Sequence, residues 1–140
     1  MTVTESSVTK AFEWPVRVYV EDTDAGGIVF YANYLKYMER ARTEWFRARG
    51  FDKPALFGDA LMFIVHSLQI NYRRPAVLDD QLTVTAEVIR FGRTFLLMTQ
   101  RVFRGGELLC EADVKVACVT RDTVKPAAIP PEVRAAIALD

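Results

Sequence analysis

The chain has 140 residues and carries 18 basic and 18 acidic side chains, so its formal net charge is zero. That length supports one domain with one real core, and a neutral total gives no sign of a nucleic-acid surface. Hydrophobic residues make up 51% of the sequence, yet no apolar run approaches the ~18–20 residues of a membrane helix, and the amino end lacks a secretory hydrophobic stretch.

Residues 1–12 are polar and are expected to be loosely ordered. Alternating Val16, Val18 and Val20 then predict a half-buried strand over residues 14–21. Glu21, Asp22 and Asp24 follow, and Gly26-Gly27 marks a turn. An amphipathic helix begins near Ile28–Asn33 and ends at Gly50, a suitable left-handed stop. Tyr34, Tyr37, Met38, Ala41 and Trp45 fall on one face of that helix at core spacing. At ~1.5 Å per residue the helix is about 25 Å long, enough to span a small sheet.

Phe51–Ala60 reads as a connecting loop, after which the hydrophobic period changes to two. Ile64, His66, Leu68, Ile70 and Tyr72 are expected to share one face of a long strand, and Leu82, Val84, Ala86 and Val88 one face of the next. A third strand alternates through Leu96, Met98, Gln100 and Val102, and Arg104-Gly105-Gly106-Glu107 makes a hairpin turn. The fourth runs from Leu108 to Thr120, with Cys110 and Cys118 on the face of Leu108, Ala112, Val114 and Val116. Two cysteines eight residues apart in one strand are too distant for a disulfide. They read as packed thiols in a reducing, cytoplasmic compartment. Glu132–Leu139 predicts a short terminal helix started by proline. The order β-α-β-β-β-β defines a single α+β domain over residues 1–140, an antiparallel meander able to wrap its apolar face round one helix.

Asp24 is the candidate reacting group. It stands directly before Ala25-Gly26-Gly27, where the chain can turn sharply and bring backbone near a ligand. A carboxylate beside a helix start pairs a base or nucleophile with N–H donors for an oxyanion, here the amides around Phe30 and Tyr31. The structural alternative is that Asp22 or Asp24 merely closes a turn. The D-x-D after a hydrophobic strand also suits a phosphatase nucleophile, but four antiparallel strands follow where that fold needs alternating parallel strands and helices. A calcium loop starting at Asp22 would lack its closing glutamate at Asn33. The serine-elbow, zinc-protease and phosphate-loop signatures are missing. His66, the only histidine, reads as a core or interface residue, with pocket lining as its functional alternative.

The block EDTDAGGIVFYANYLKYMERARTEWF resembles the signature of hotdog-fold acyl-CoA thioesterases, in particular the Tol-Pal-associated and 4-hydroxybenzoyl-CoA branches. INYRRPAVLDDQL, Met98-Thr99-Gln100 and Ala117-Cys118-Val119 extend the resemblance over about residues 13–131. It implies a central helix wrapped in an antiparallel sheet, and dimers or tetramers with active sites at the subunit interface. The family's essential aspartate falls on Asp24, and its oxyanion-polarising amide on Tyr31. Tyr31-Ala32-Asn33-Tyr34 is nearer the 4-hydroxybenzoyl branch and ERARTEW nearer the Tol-Pal branch, so substrate identity stays open. The implied substrate is an acyl-CoA, hydrolysed without a metal or other cofactor, with Asp24 as nucleophile or general base. Gly27, Ile28 and His66 are candidates for substrate contact, and Arg73, Arg74, Arg90 and Arg93 for the nucleotide phosphates. A non-catalytic acyl-binding protein and a thioesterase acting on carrier-protein thioesters are the alternatives.

Overall fold

The computed structural model describes residues 11–51, 56–57 and 60–138. Its strands are β1 (Phe12–Arg17), β2 (Leu56–Phe57), β3 (Leu61–Tyr72), β4 (Gln81–Phe91), β5 (Phe95–Arg104) and β6 (Glu107–Thr120). Helix α1 (Asn33–Arg47) follows β1, and α2 (Pro131–Ala138) closes the chain. The strands form one sheet in the order β1-β4-β5-β6-β3-β2, with every neighbouring pair antiparallel. Among the described residues, no helix is long and apolar enough to cross a membrane.

The predicted helix face is the core. Tyr34, Tyr37, Met38, Ala41 and Trp45 are buried, joined by Phe46. They pack on Leu82, Val84 and Ala86 of β4, Leu96, Met98 and Val102 of β5, and alternate residues of β6 from Cys110 to Cys118. Each large apolar side chain so buried contributes about 1.5–3 kcal/mol relative to exposure. A large polar side chain shares this interior. Gln100 is fully buried and donates to the Met38 carbonyl at 2.9 Å and the Thr85 carbonyl at 3.2 Å. Its Oε1 accepts from Arg42 at 2.9 Å, so the amide is satisfied beneath the helix.

Several expectations are corrected. Strand β1 begins at Phe12, inside the segment expected to be loose, and ends at Arg17 instead of residue 21. Val18 is buried as expected, but Val20 opens a 3₁₀ turn, Val20–Asp22, and is 72% exposed. The turn forms because the Asp22 carboxylate accepts the Tyr19 N–H at 2.9 Å. The loop expected over Phe51–Ala60 contains the short strand β2; residues 52–55 and 58–59 lie outside the described residues, as do 1–10.

Two bulges alter the predicted faces. In β3, Val65 pairs with Val116 and Ser67 with Lys115, so His66 is the extra residue. Phe63 and Val65 therefore face inward with Leu68, Ile70 and Tyr72, whereas Ile64 and His66 do not. In β6, Val102 pairs with Cys110 and Phe103 with Leu108. Leu109 is consequently buried, and Leu108 leaves the cysteine face.

Candidate active site

The acidic glycine run folds into a tight loop at one end of the sheet. The Asp24 N–H donates to the Ile28 carbonyl at 2.9 Å, and the Gly27 N–H returns to the Asp24 carbonyl at 3.0 Å. Gly27 closes the loop at φ 80°, a backbone state that L side chains resist. A bridge from Thr23 to Val29 squares its base. Asp24 is exposed at the tip, and its Oδ1 accepts the Gly26 N–H at 2.9 Å. The carboxylate is thus oriented by one amide and keeps its remaining lone pairs free.

The β3–β4 connection supports this loop. Val29 donates to the Ala76 carbonyl at 2.9 Å, Leu78 donates to Gly27 at 3.2 Å, and Ile28 bridges Val77. The connection is itself fixed by Asp80, whose Oδ2 accepts the Val77 N–H at 2.9 Å and Arg104 at 2.7 Å. Burial works against the Asp80 carboxylate, but these two donors outweigh it and hold its pKa below the ordinary range. The Tyr34 hydroxyl accepts the Ala76 N–H at 2.9 Å, which locks the connection to the helix.

Beyond the loop, the chain enters α1 without a side-chain cap. Ala32 precedes the helix in αR geometry and offers no capping group. The Phe30 N–H is used by the Asp22 carbonyl at 3.0 Å, which removes it from the expected oxyanion donors. The Tyr31 and Ala32 N–H groups have no acceptor among the described residues. An uncapped helix start with free amides favours negative charge through the amide hydrogens and the helix dipole.

A cavity of about 240 Å³ opens beside these amides, lined by Ile28, Val29, Tyr31, Tyr34, Tyr72, Arg73, Arg74 and Pro75. Tyr72 stands edge-on to Tyr31 at 6.1 Å between ring centroids, and its hydroxyl donates to the Tyr31 carbonyl at 3.1 Å. Ile28, Tyr31, Arg73 and Arg74 are therefore brought together, with Gly27 and Asp24 on the adjoining loop. Both arginines carry carboxylate partners: Arg73 meets Glu111 at 2.7 Å, and Arg74 meets Glu107 at 3.1 Å. Cys110, under Tyr72 on the neighbouring strand, is fully buried, and burial pushes its thiol up to about 12, so it is no nucleophile.

Other predicted residues lie elsewhere. His66 is exposed in the β3 bulge, with Nδ1 3.2 Å from the Ser67 hydroxyl, and does not line this cavity. Arg90 and Arg93 sit at the far end of β4, ~30 Å from its first residue at ~3.3 Å per residue. Arg90 lies over the Phe95 ring at 5.7 Å. A second cavity, about 400 Å³, runs between α1 and β3 and is lined by Glu39, Arg42, Thr43, Phe46, Phe63 and Val65 among others. Sequence reasoning gave Tyr72 and Asn33 no role in the site. Their contacts join residues 41 and 11 positions apart, which no local pattern reports.

A helix held against one antiparallel sheet, with an exposed carboxylate loop beside its uncapped start, is the arrangement expected of a hotdog-type domain. The profile of the Thioesterase superfamily matches residues 26–111. The acyl-CoA thioesterase YbgC of Haemophilus influenzae is 48% identical over 126 residues, covering 89% of this chain and 93% of that protein. The acyl-CoA thioester hydrolase YbgC of Escherichia coli is 45% identical over 123 residues, covering 87% and 92%. The solved structure of a probable thioesterase from Bartonella henselae superposes with a TM-score of 0.78 at 34% identity, covering 86% of this chain and 98% of that one. A 1,4-dihydroxy-2-naphthoyl-CoA thioesterase from Synechocystis shares the fold, with a TM-score of 0.83 at 20% identity, covering 92% and 96%. The chain belongs to the thioesterase superfamily and is a hotdog-fold thioester hydrolase.

Proposed function

We propose that the protein hydrolyses acyl-CoA thioesters to a free acid and coenzyme A, with Asp24 as the reacting carboxylate. The carrying observation is an exposed, singly hydrogen-bonded carboxylate on the loop that leads into two free helix-start amides. In this reading the thioester oxygen points at the Tyr31 and Ala32 N–H groups. Loss of one such donor typically costs about 2.7–4 kcal/mol of transition-state stabilisation. Asp24 either attacks the carbonyl carbon, expelling the thiolate and leaving an anhydride that water cleaves, or takes a proton from a water that attacks the same carbon and expels the thiolate directly. The two YbgC relatives support the acyl-CoA substrate through their own activity.

The active unit in this proposal is a homodimer built through β3. Beyond Met62 the outer edge of β3 has no strand neighbour among the described residues. Its inward side chains Val65, Leu68 and Tyr72 are 43%, 40% and 44% exposed. A long open edge flanked by exposed apolar side chains favours pairing with another strand. Two-fold antiparallel pairing of residues 63–72 would bring the Phe63 end of one copy to the Tyr72 end of the other. The β4–β5 turn lies at that Phe63 end, because Phe63 pairs with Cys118 and Phe95 with Ala117. Arg90 and Arg93 of one copy would then approach the Asp24 loop of the other, giving them a route to the phosphates. The 400 Å³ cavity beside Phe63 and Val65 would receive the acyl chain.

Thiol release from a panel of acyl-CoA and acyl-carrier thioesters tests the substrate assignment. Turnover of CoA thioesters is expected. Turnover of carrier thioesters alone would move the assignment to that substrate, and no turnover of either would support a binding protein.

A further inference from the structure

The two free amides and the carboxylate belong to separate pieces of chain, so something must set the distance between them. We infer that Asn33 and Tyr72 are positioning residues that hold the start of α1 in register with the Asp24 loop; this rests on the proposed roles of Asp24 and the Tyr31 and Ala32 amides.

Asn33 is the first residue of α1. Asparagine next to a helix start ordinarily serves the helix, its oxygen accepting an orphan N–H. Here the side chain points the other way. Its Nδ2 donates to the Asp22 carbonyl at 2.8 Å, across 11 residues, and the Phe30 N–H donates to the same oxygen at 3.0 Å. One carbonyl, two residues before Asp24, thus receives both the last peptide before the amide pair and the first side chain after it.

Tyr72 acts from the opposite side. Its hydroxyl donates to the Tyr31 carbonyl at 3.1 Å, and that carbonyl belongs to the peptide whose N–H is that of Ala32. The competing helical bond to this oxygen, from the Tyr34 N–H, is long at 3.4 Å. Partial burial raises the Tyr72 pKa, which keeps the hydroxyl protonated as the donor. The first turn is therefore held by the β3 strand on one side and the Asp22 carbonyl on the other, with no capping side chain laid over its amides. A tether that leaves those donors uncovered suits an anion that forms only during reaction.

The test compares Asn33→Asp, Asn33→Ala and Tyr72→Phe with the parent chain by thiol release from acyl-CoA and by thermal unfolding. Asn33→Asp keeps the size but sets an acceptor against the Asp22 carbonyl; the helix dipole offsets part of that repulsion, so the variant is expected to stay folded with a modestly lower melting temperature. Its kcat is nevertheless expected to fall at least tenfold, and so is that of Asn33→Ala, which loses the same donor to Asp22 without adding a charge beside the amides. Tyr72→Phe preserves the ring contacts and is expected to lower kcat about tenfold with KM within threefold of the parent. A kcat within threefold of the parent in a folded Asn33→Asp and Tyr72→Phe overturns the inference, as does a loss carried by KM alone. Asp24→Asn separates the two levels. If it retains turnover, the catalytic reading fails; if it is inactive while the tether variants are fully active, only the positioning roles fail.

Discussion

Asp24→Asn separates chemistry from folding in this site. The side chain is exposed and makes one structural hydrogen bond, accepting the Gly26 N–H at 2.9 Å. An asparagine oxygen accepts the same bond, and a neutral bond of this kind is worth about 0.5–1.5 kcal/mol net. Since the acceptor is retained, the change in stability should lie well below about 1 kcal/mol, or a shift of no more than about 2–4 °C for a chain of this size. The chemical loss is larger. Positioned acid–base catalysis contributes about 10²–10⁴-fold, equivalent to about 2.7–5.4 kcal/mol at ~1.36 kcal/mol per decade. Kinetics and stability should therefore part company: a melting curve near that of the parent beside a kcat reduced at least a hundredfold. Circular dichroism supplies the first measurement, and thiol release at saturating acyl-CoA the second. A folded variant with kcat within threefold of the parent would refute the assignment of Asp24.

Three further outcomes are expected. Gln100→Ala removes the acceptor of Arg42 and the donor to two buried carbonyls, which should cost about 2–4 kcal/mol and lower the melting temperature by about 5–15 °C in a thermal scan. Leu68→Arg places a charge on the open inner face of β3; sedimentation should show a monomer with activity reduced at least tenfold, and an active dimer would contradict the proposed interface. Asp80 ionises below the ordinary carboxylate range in the folded state, so its stabilisation is full above the unfolded value of about 4 and is lost as pH falls through the folded value. Asp80→Asn should accordingly flatten the acid limb of a plot of melting temperature against pH below about 4, and an unchanged acid limb would show that the pair with Arg104 contributes nothing there.

The sequence by itself determined what depends on spacing. The aromatic stripe from Tyr34 to Trp45 fixed which face of α1 is buried, because 3.6-residue periodicity is a local property. The alternation through Leu96, Met98, Gln100 and Val102 did the same for β5, including the interior place of its one polar residue. Asp24 and the glycine turn were likewise visible, since turn chemistry resides in adjacent residues.

The tertiary structure alone decided where that periodicity breaks and what meets across the chain. A bulge at His66 reverses the faces of β3, and one at Leu109 exchanges Leu108 for its neighbour. Each arises from pairing with a partner strand, so neither strand's own sequence encodes it. The same holds for the site. That the Phe30 amide is consumed while those of Tyr31 and Ala32 stay free follows from the Asp22 carbonyl docking on the helix start. That Tyr72 reaches the Tyr31 carbonyl follows from the placement of β3 beside α1. Local pattern specifies elements and reactive residue types; distances between segments far apart in the chain are set only when the core closes on both.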